Sequence, residues 1–137
     1  MTFLSTFDDR RLLVTDLDGT LVGSAPAALE KLQKALQTVR ESTILVYVSG
    51  QNLSAQLAKI EEHQLLAPNY IISSVGTEIH RLPGEHPVDE WYRYIQASFD
   101  REEIIEFIAQ HENELELQPV EHQTPLKVSY FWENATP

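Results

Sequence analysis

The stretch Leu12-Leu13-Val14-Thr15-Asp16-Leu17-Asp18-Gly19-Thr20 constrains this chain more than any other. Leu12 to Val14 form a short apolar run bounded by a turn signal, which predicts a buried parallel strand. Asp16 and Asp18 stand two apart, so on a strand they point the same way. Gly19 lets the backbone turn sharply after them, and Thr20 adds a hydroxyl. Ligands of open α/β sheets bind at the carboxyl ends of strands, which is where this pair falls. Two like charges so close repel each other unless a cation or a shared proton relieves them. A hard divalent ion such as Mg²⁺, which prefers oxygen ligands, meets that need. The plainer alternative is a strand followed by an Asp-Gly turn, since both residues are common turn formers.

Ser24-Ala25-Pro26 then opens a helix, with a hydroxyl near the cap and proline in the first turn. Leu29, Leu32, Leu36 and Val39 recur at helical spacing and mark a packing helix. Thr43 to Val48 is rich in β-branched residues and predicts a second buried strand. It ends in Ser49-Gly50-Gln51-Asn52, after which Leu53, Leu57, Ile60 and Gln64 suggest another helical stripe. Pro68-Asn69 breaks that helix, and Tyr70 to Val75 reads as a third strand. Strands alternating with helices predict an α/β fold, a parallel sheet joined by right-handed crossovers. Gly76 and the alternation from Thr77 to Arg81 suggest a hairpin arm, in which Glu78 either faces the site or stands exposed.

The clearest composition break is Leu82-Pro83-Gly84-Glu85-His86-Pro87, which places a boundary between residues 1–84 and a second unit, 85–137. Trp91, Tyr92 and Tyr94 belong to a helical segment running to about Phe99, either packing in the unit's core or stacking on a sugar. Asp100-Arg101-Glu102-Glu103 resembles a capping box before a helix with Ile104, Ile105, Phe107 and Ile108 on its apolar face. Leu126 to Trp132 predicts one more strand. One helix and one strand cannot bury both faces of a layer, so the expectation is the front part of a larger protein.

Composition narrows the function classes. A formal charge of −11 and a pI near 4.7 over 137 residues repel phosphate backbones, which argues against a nucleic-acid partner. There are no cysteines, hence no disulfide framework and no thiolate metal site. The five histidines, at 63, 80, 86, 111 and 122, lack metal-ligand spacing and read as surface residues. No run approaches the roughly 18 apolar residues of a membrane span. Met1 to Arg11 carries no secretory pattern, so a cytoplasmic protein is expected.

Ser49-Gly50 ends the second strand on the same side as Asp16 and Asp18 if the strands are parallel. Alone it is either a capped strand-to-helix turn or an anion site made of a hydroxyl and free backbone N–H groups. Together with Asp16-Leu17-Asp18-Gly19-Thr20, it resembles the first two motifs of the haloacid-dehalogenase-like (HAD) phosphatases. Pro68 to Ile79 and Leu126-Lys127-Val128-Ser129-Tyr130 are similar to the sucrose-phosphate phosphatase branch of that superfamily. The HAD sugar-phosphate phosphatases with an inserted cap domain commonly carry Thr-Gly-Arg where this chain has Ser49-Gly50-Gln51. The resemblance covers nearly the whole chain.

It implies a Rossmann-like parallel sheet with flanking helices, the incomplete HAD core, followed by the start of an α+β cap. It implies Asp16 as nucleophile and Asp18 as general acid/base. Phosphate would be bound around Leu17, Thr20, Ser49 and Gly50, and Mg²⁺ by Asp16 and the Asp18 backbone carbonyl. The third-motif lysine and the acidic fourth motif belong after the cap, beyond these 137 residues, so weak activity at most is expected. Lys127, inside the cap strand, is a sugar-contact candidate or a solvated strand lysine. The implied substrate is sucrose 6-phosphate, with mannosyl-3-phosphoglycerate as the type of alternative sugar phosphate. A regulatory module without turnover, associated with sucrose-phosphate synthase, is the rival from another class.

Overall fold

The computed structural model describes residues 10–112 and 114–132. Five strands form one sheet in sequence order: β1 (Arg11–Asp16), β2 (Thr43–Val48), β3 (Tyr70–Ser73), β4 (Glu78–Arg81) and β5 (His86–Pro87). β1, β2 and β3 are parallel, and β4 and β5 fold back antiparallel beside them. The α/β expectation holds, with a hairpin arm appended where the alternation from Thr77 to Arg81 suggested one. The two-residue β5 carries too short a pattern to be read from sequence.

β2 is the central parallel strand, and its residues from Thr43 to Tyr47 are all buried. β1 differs from expectation. It is the sheet's edge, and Leu12 and Val14 are 58% and 50% exposed, while Leu13 and Thr15 on the opposite face are half-covered. Its run of apolar residues therefore serves a strand covered on one face, because no further strand lies beyond it among the described residues.

Helix α1 (Pro26–Thr38) crosses from β1 to β2, and α2 (Leu53–Glu62) crosses from β2 to β3. Pro26 does occupy the first turn of α1, but the cap position is Ala25 and Ser24 Oγ donates to the Leu21 carbonyl instead, at 2.8 Å. α1 buries no residue fully, and Leu32 faces solvent. Its contribution to the core is Leu29, packed with Leu13 and Ile60 against Leu17, Leu21, Leu45, Tyr47 and Leu65. α2 begins at Asn52, whose side chain accepts from the Ala55 N–H at 2.9 Å. It ends before Gln64, which lies in the left-handed region and leaves the predicted stripe.

β3 stops two residues earlier than its apolar run suggested, because Ser74 and Val75 both take positive φ. Asn69 fastens β3's approach to β2. Its Oδ1 accepts from the Leu45 N–H and from Arg40, both at 2.8 Å.

Past β5, α3 (Asp89–Gln96) and α4 (Arg101–His111) are followed by a two-stranded antiparallel sheet of β6 (Leu115–Leu117) and β7 (Tyr130–Trp132). Asp100 caps α4 as expected, accepting from the Glu103 N–H at 3.0 Å. The predicted strand over Leu126 to Trp132 shortens to Tyr130–Trp132, because Thr124 and Lys127 pair across a tight turn. β6 was not read from sequence, its Leu115-Glu116-Leu117 alternation being only three residues long. Trp91 Nε1 donates to the Gly76 carbonyl at 2.9 Å, so this aromatic pins α3 to the β3–β4 turn.

Tyr47 supplies a stability test of the core. Its hydroxyl donates to the Leu66 carbonyl at 2.9 Å, and burial pushes its pKa from 10.0 up to about 12, slightly opposed by the Arg40 charge. Unfolded Tyr47 ionises near 10 while the folded form keeps its proton, so its contribution is full below pH 10 and is lost as pH climbs toward 12. Chemical denaturation should show stability falling by on the order of 2 kcal/mol over that window. Tyr47→Phe should flatten this part of the profile.

Candidate active site

Alternation along β1 continues past its end. Leu13 and Thr15 turn toward the covered side and Leu17 is fully buried, while Asp16 and Asp18 both stand exposed at the strand's carboxyl end. Leu17 thus anchors the motif: its side chain belongs to the core, and its carbonyl accepts from the N–H groups of Leu21 and Val22 at 3.1 and 2.8 Å. Gly19, at φ +72°, makes the reversal that a Cβ would strain, and its N–H donates to the Val22 carbonyl at 2.9 Å. Thr20 lies exposed on this loop.

Parallel pairing brings the second motif alongside. Asp16 is in register with Val48, so Ser49 follows at the same end of the sheet. Ser49 Oγ donates to Asp18 Oδ2 at 3.3 Å and accepts from the Gln51 N–H at 3.2 Å. The other Asp18 oxygen, Oδ1, is ion-paired with Lys59 of α2. Asp18, Ser49 and Lys59 therefore form one connected group.

Asp16 has no side-chain hydrogen bond or ion pair among the described residues. A free, exposed carboxylate beside a second one suits a hard cation that keeps waters and substrate oxygens in its shell. The described residues contain no group of three or more His, Asp or Glu that would cage a metal by themselves. That combination fits Mg²⁺, which is commonly held by one or two carboxylates and completed by phosphate.

A cavity of about 530 Å³ opens beside the group, lined among others by Gly50, Asn52, Lys59, Ser74, Gln118 and Lys127. The Thr124–Lys127 turn carries Lys127 to it, so this lysine shares a cavity with Gly50 and Lys59. Gln123 braces the segment behind that turn. Its Nε2 donates to the carbonyls of Gln118 and Ser129 at 2.8 and 2.9 Å, and its Oε1 accepts from the Ser129 N–H at 2.9 Å.

Two residues that hold this geometry carry no motif. Gln56 is fully buried, and its Nε2 donates to the Gln51 and Ile72 carbonyls, each at 3.1 Å, tying the ends of β2 and β3 together. Glu78 is not an exposed hairpin carboxylate. It accepts from the hydroxyls of Ser73 and Ser74, both at 3.0 Å, across the strained turn beneath the cavity. His80 likewise departs from the surface reading, with both ring nitrogens buried and Nε2 3.7 Å from Glu78. Lys59 had a legible signal: Asn52, Ala55 and Lys59 recur at helical spacing from the cap and line the same cavity.

Glu78→Ala would leave two buried serine hydroxyls without their charged acceptor, which should cost about 2–3 kcal/mol. A thermal melt beside Glu78→Gln, which keeps an acceptor oxygen, measures that loss and the partial recovery.

Comparison with known proteins fits this arrangement. The family model for sucrose-6F-phosphate phosphohydrolase matches residues 9–137. Sucrose-phosphatase 1 of Nicotiana tabacum is 33% identical over 126 residues, covering 89% of this chain and 29% of that protein. Mannosylfructose-phosphate phosphatase of Agrobacterium fabrum is 32% identical over 127 residues, covering 91% and 50%. The solved structure of the sucrose-phosphatase from Synechocystis sp. PCC6803, in complex with sucrose and phosphate, superposes with a TM-score of 0.83 at 30% identity. That match covers 95% of this chain and 52% of the other. The chain thus spans half or less of the curated relatives' length and about half of the solved one.

Proposed function

The chain belongs to the sucrose-6F-phosphate phosphohydrolase family, a family of phosphatases, and from that premise we propose that its site hydrolyses the phosphate ester of a disaccharide, sucrose 6-phosphate first among them. The observation that carries this reading is the juncture of Asp18, Ser49 and Lys59 with the free Asp16 carboxylate, beside a cavity large enough for a sugar. The two units take separate tasks in it: residues 1–84 supply the phosphate chemistry and residues 85–137 the start of the sugar-selecting cap.

Asp16 is the nucleophile. Its carboxylate oxygen bonds to phosphorus as the bond from phosphorus to the sugar oxygen breaks, and the electron pair stays with the sugar oxygen. Asp18, as the carboxylic acid, gives that oxygen its proton and releases the sugar. The Asp18 carboxylate then takes a proton from water, whose oxygen attacks phosphorus while the bond to Asp16 breaks. Inorganic phosphate leaves, and Asp16 is restored. Ser49 Oγ and the backbone N–H groups around Leu17 and Gly50 bind the phosphoryl oxygens through both steps. Asp16 and the Asp18 backbone carbonyl would hold Mg²⁺, which when bound supplies positive charge against the phosphoryl oxygens.

The sugar occupies the cavity, with Lys127 and Gln118 as its polar partners from the second unit. The likeness to a mannosylfructose-phosphate phosphatase supports a second substrate of the same shape, a mannose-containing disaccharide phosphate. Residues 1–137 alone should turn over slowly, since the acidic fourth motif that the family resemblance places after the cap is not among them.

Phosphate release from sucrose 6-phosphate with Mg²⁺ present, beside an Asp16→Asn control, tests the reading. Release is expected from the natural sequence and none from the control. Asp18→Asn should lower the rate by about 10²-fold or more. A panel with mannosylfructose phosphate and mannosyl-3-phosphoglycerate ranks the sugars. Binding of phosphate and Mg²⁺ without any release would instead favour a regulatory module.

A further inference from the structure

Charge at this site does not balance on the residues assigned so far. A phosphate dianion must approach two aspartates, and one divalent ion offsets only part of that repulsion. The family resemblance implies a lysine after the cap as one such cation, and Lys59 is a further candidate among the described residues. Lys59 stands in α2, an element the resemblance gives no such task. Among the described residues, Lys59 is the cation that forms an ion pair with a carboxylate of the Asp16–Asp18 motif.

Its setting differs from that of an ordinary surface pair. Lys34 and Glu30 are 76% and 67% exposed, whereas the Lys59 side chain is only 24% exposed and lines the cavity beside Gly50 and Ser74. The stem is held by a helix whose cap, Asn52, lies at the same cavity. A lysine ammonium is a compact charge on a flexible stem, so it can exchange one oxygen acceptor for another within reach.

We propose that Lys59 is the phosphate-facing cation of this chain: it pairs with Asp18 in this structure and donates to the phosphoryl oxygens of a bound phosphate ester. The inference rests on the phosphatase reading and extends it to a residue outside the recognised motifs. Asp18 then serves as the resting acceptor that keeps the ammonium aimed into the site.

The test uses inorganic phosphate as the probe, titrated calorimetrically with Mg²⁺ present into the natural sequence, Lys59→Gln, Lys59→Arg and the surface control Lys34→Gln. Lys59→Gln should bind phosphate about tenfold more weakly, Lys59→Arg should recover most of that loss, and Lys34→Gln should bind like the natural sequence. Equal affinity for Lys59→Gln and the natural sequence overturns the role of Lys59 and leaves the phosphatase reading standing. No phosphate binding by the folded natural sequence overturns both. The side-chain resonances of Lys59 in the natural sequence provide a second reading that needs no variant to fold. They should shift on phosphate addition, and their failure to move while phosphate binds rejects the proposal.

Discussion

Repulsion between Asp16 and Asp18 is the constraint to which the rest of the structure answers. Folding holds two carboxylates at one strand end. Three devices keep that arrangement in place. Leu17, fully buried between the pair, anchors the backbone, so neither carboxylate can withdraw without dragging a core residue into water. Parallel pairing with β2 puts Ser49 at the same edge, and its hydroxyl takes one oxygen of Asp18. The last turn of α2 then presents Lys59 to the other oxygen. Sheet register and helix phase thereby distribute the charge.

The floor of the site is a polar weave in place of an apolar one. Gln56, Gln51, Ser74 and Glu78 link the ends of β2 and β3 through hydrogen bonds. Such a network specifies loop positions better than apolar packing does, because each donor has a directional partner. It also accommodates Ser74 and Val75 in left-handed backbone, a conformation costing of order 1–3 kcal/mol per residue elsewhere. Glu78 offsets that strain by accepting from two serines at once, one in β3 and one in the turn.

The legible parts of the sequence were those where one local pattern sufficed. β2 runs from Thr43 to Val48 as its β-branched composition implied, and Asp100 caps α4 as its spacing with Glu103 implied. Asp18 and Ser49 meet because each ends a parallel strand, which order along the chain predicts. What escaped depended on how the chain folds back at a sheet edge or a turn, which no periodic pattern encodes. Leu12 and Val14 read as doubly buried, but β1's edge position decides their exposure. Glu78 read as exposed because nothing local announces that Ser73 and Ser74 will bring their hydroxyls to it. Lys127 reads equally as a sugar contact or a solvated strand lysine, and the turn it forms with Thr124 brings it to the cavity.

The proposed anion site on a chain of net charge −11 looks contradictory only if charge is averaged over the molecule. At physiological salt the Debye length is about 8 Å, so exposed carboxylates farther away are largely screened from the cavity. Groups within that distance act through a partly buried, less screened environment and dominate the local potential. Lys59 and Lys127 both line this cavity, with Glu121 as the carboxylate among its lining residues and Asp18 already paired. The surrounding negative field nonetheless has a consequence. It slows the approach of polyanions with many phosphates spread over tens of ångströms more than that of one compact phosphate ester. Under the proposed reading, overall acidity works against a polyanion while two local lysines leave room for one compact phosphate ester, so the two scales of charge act together.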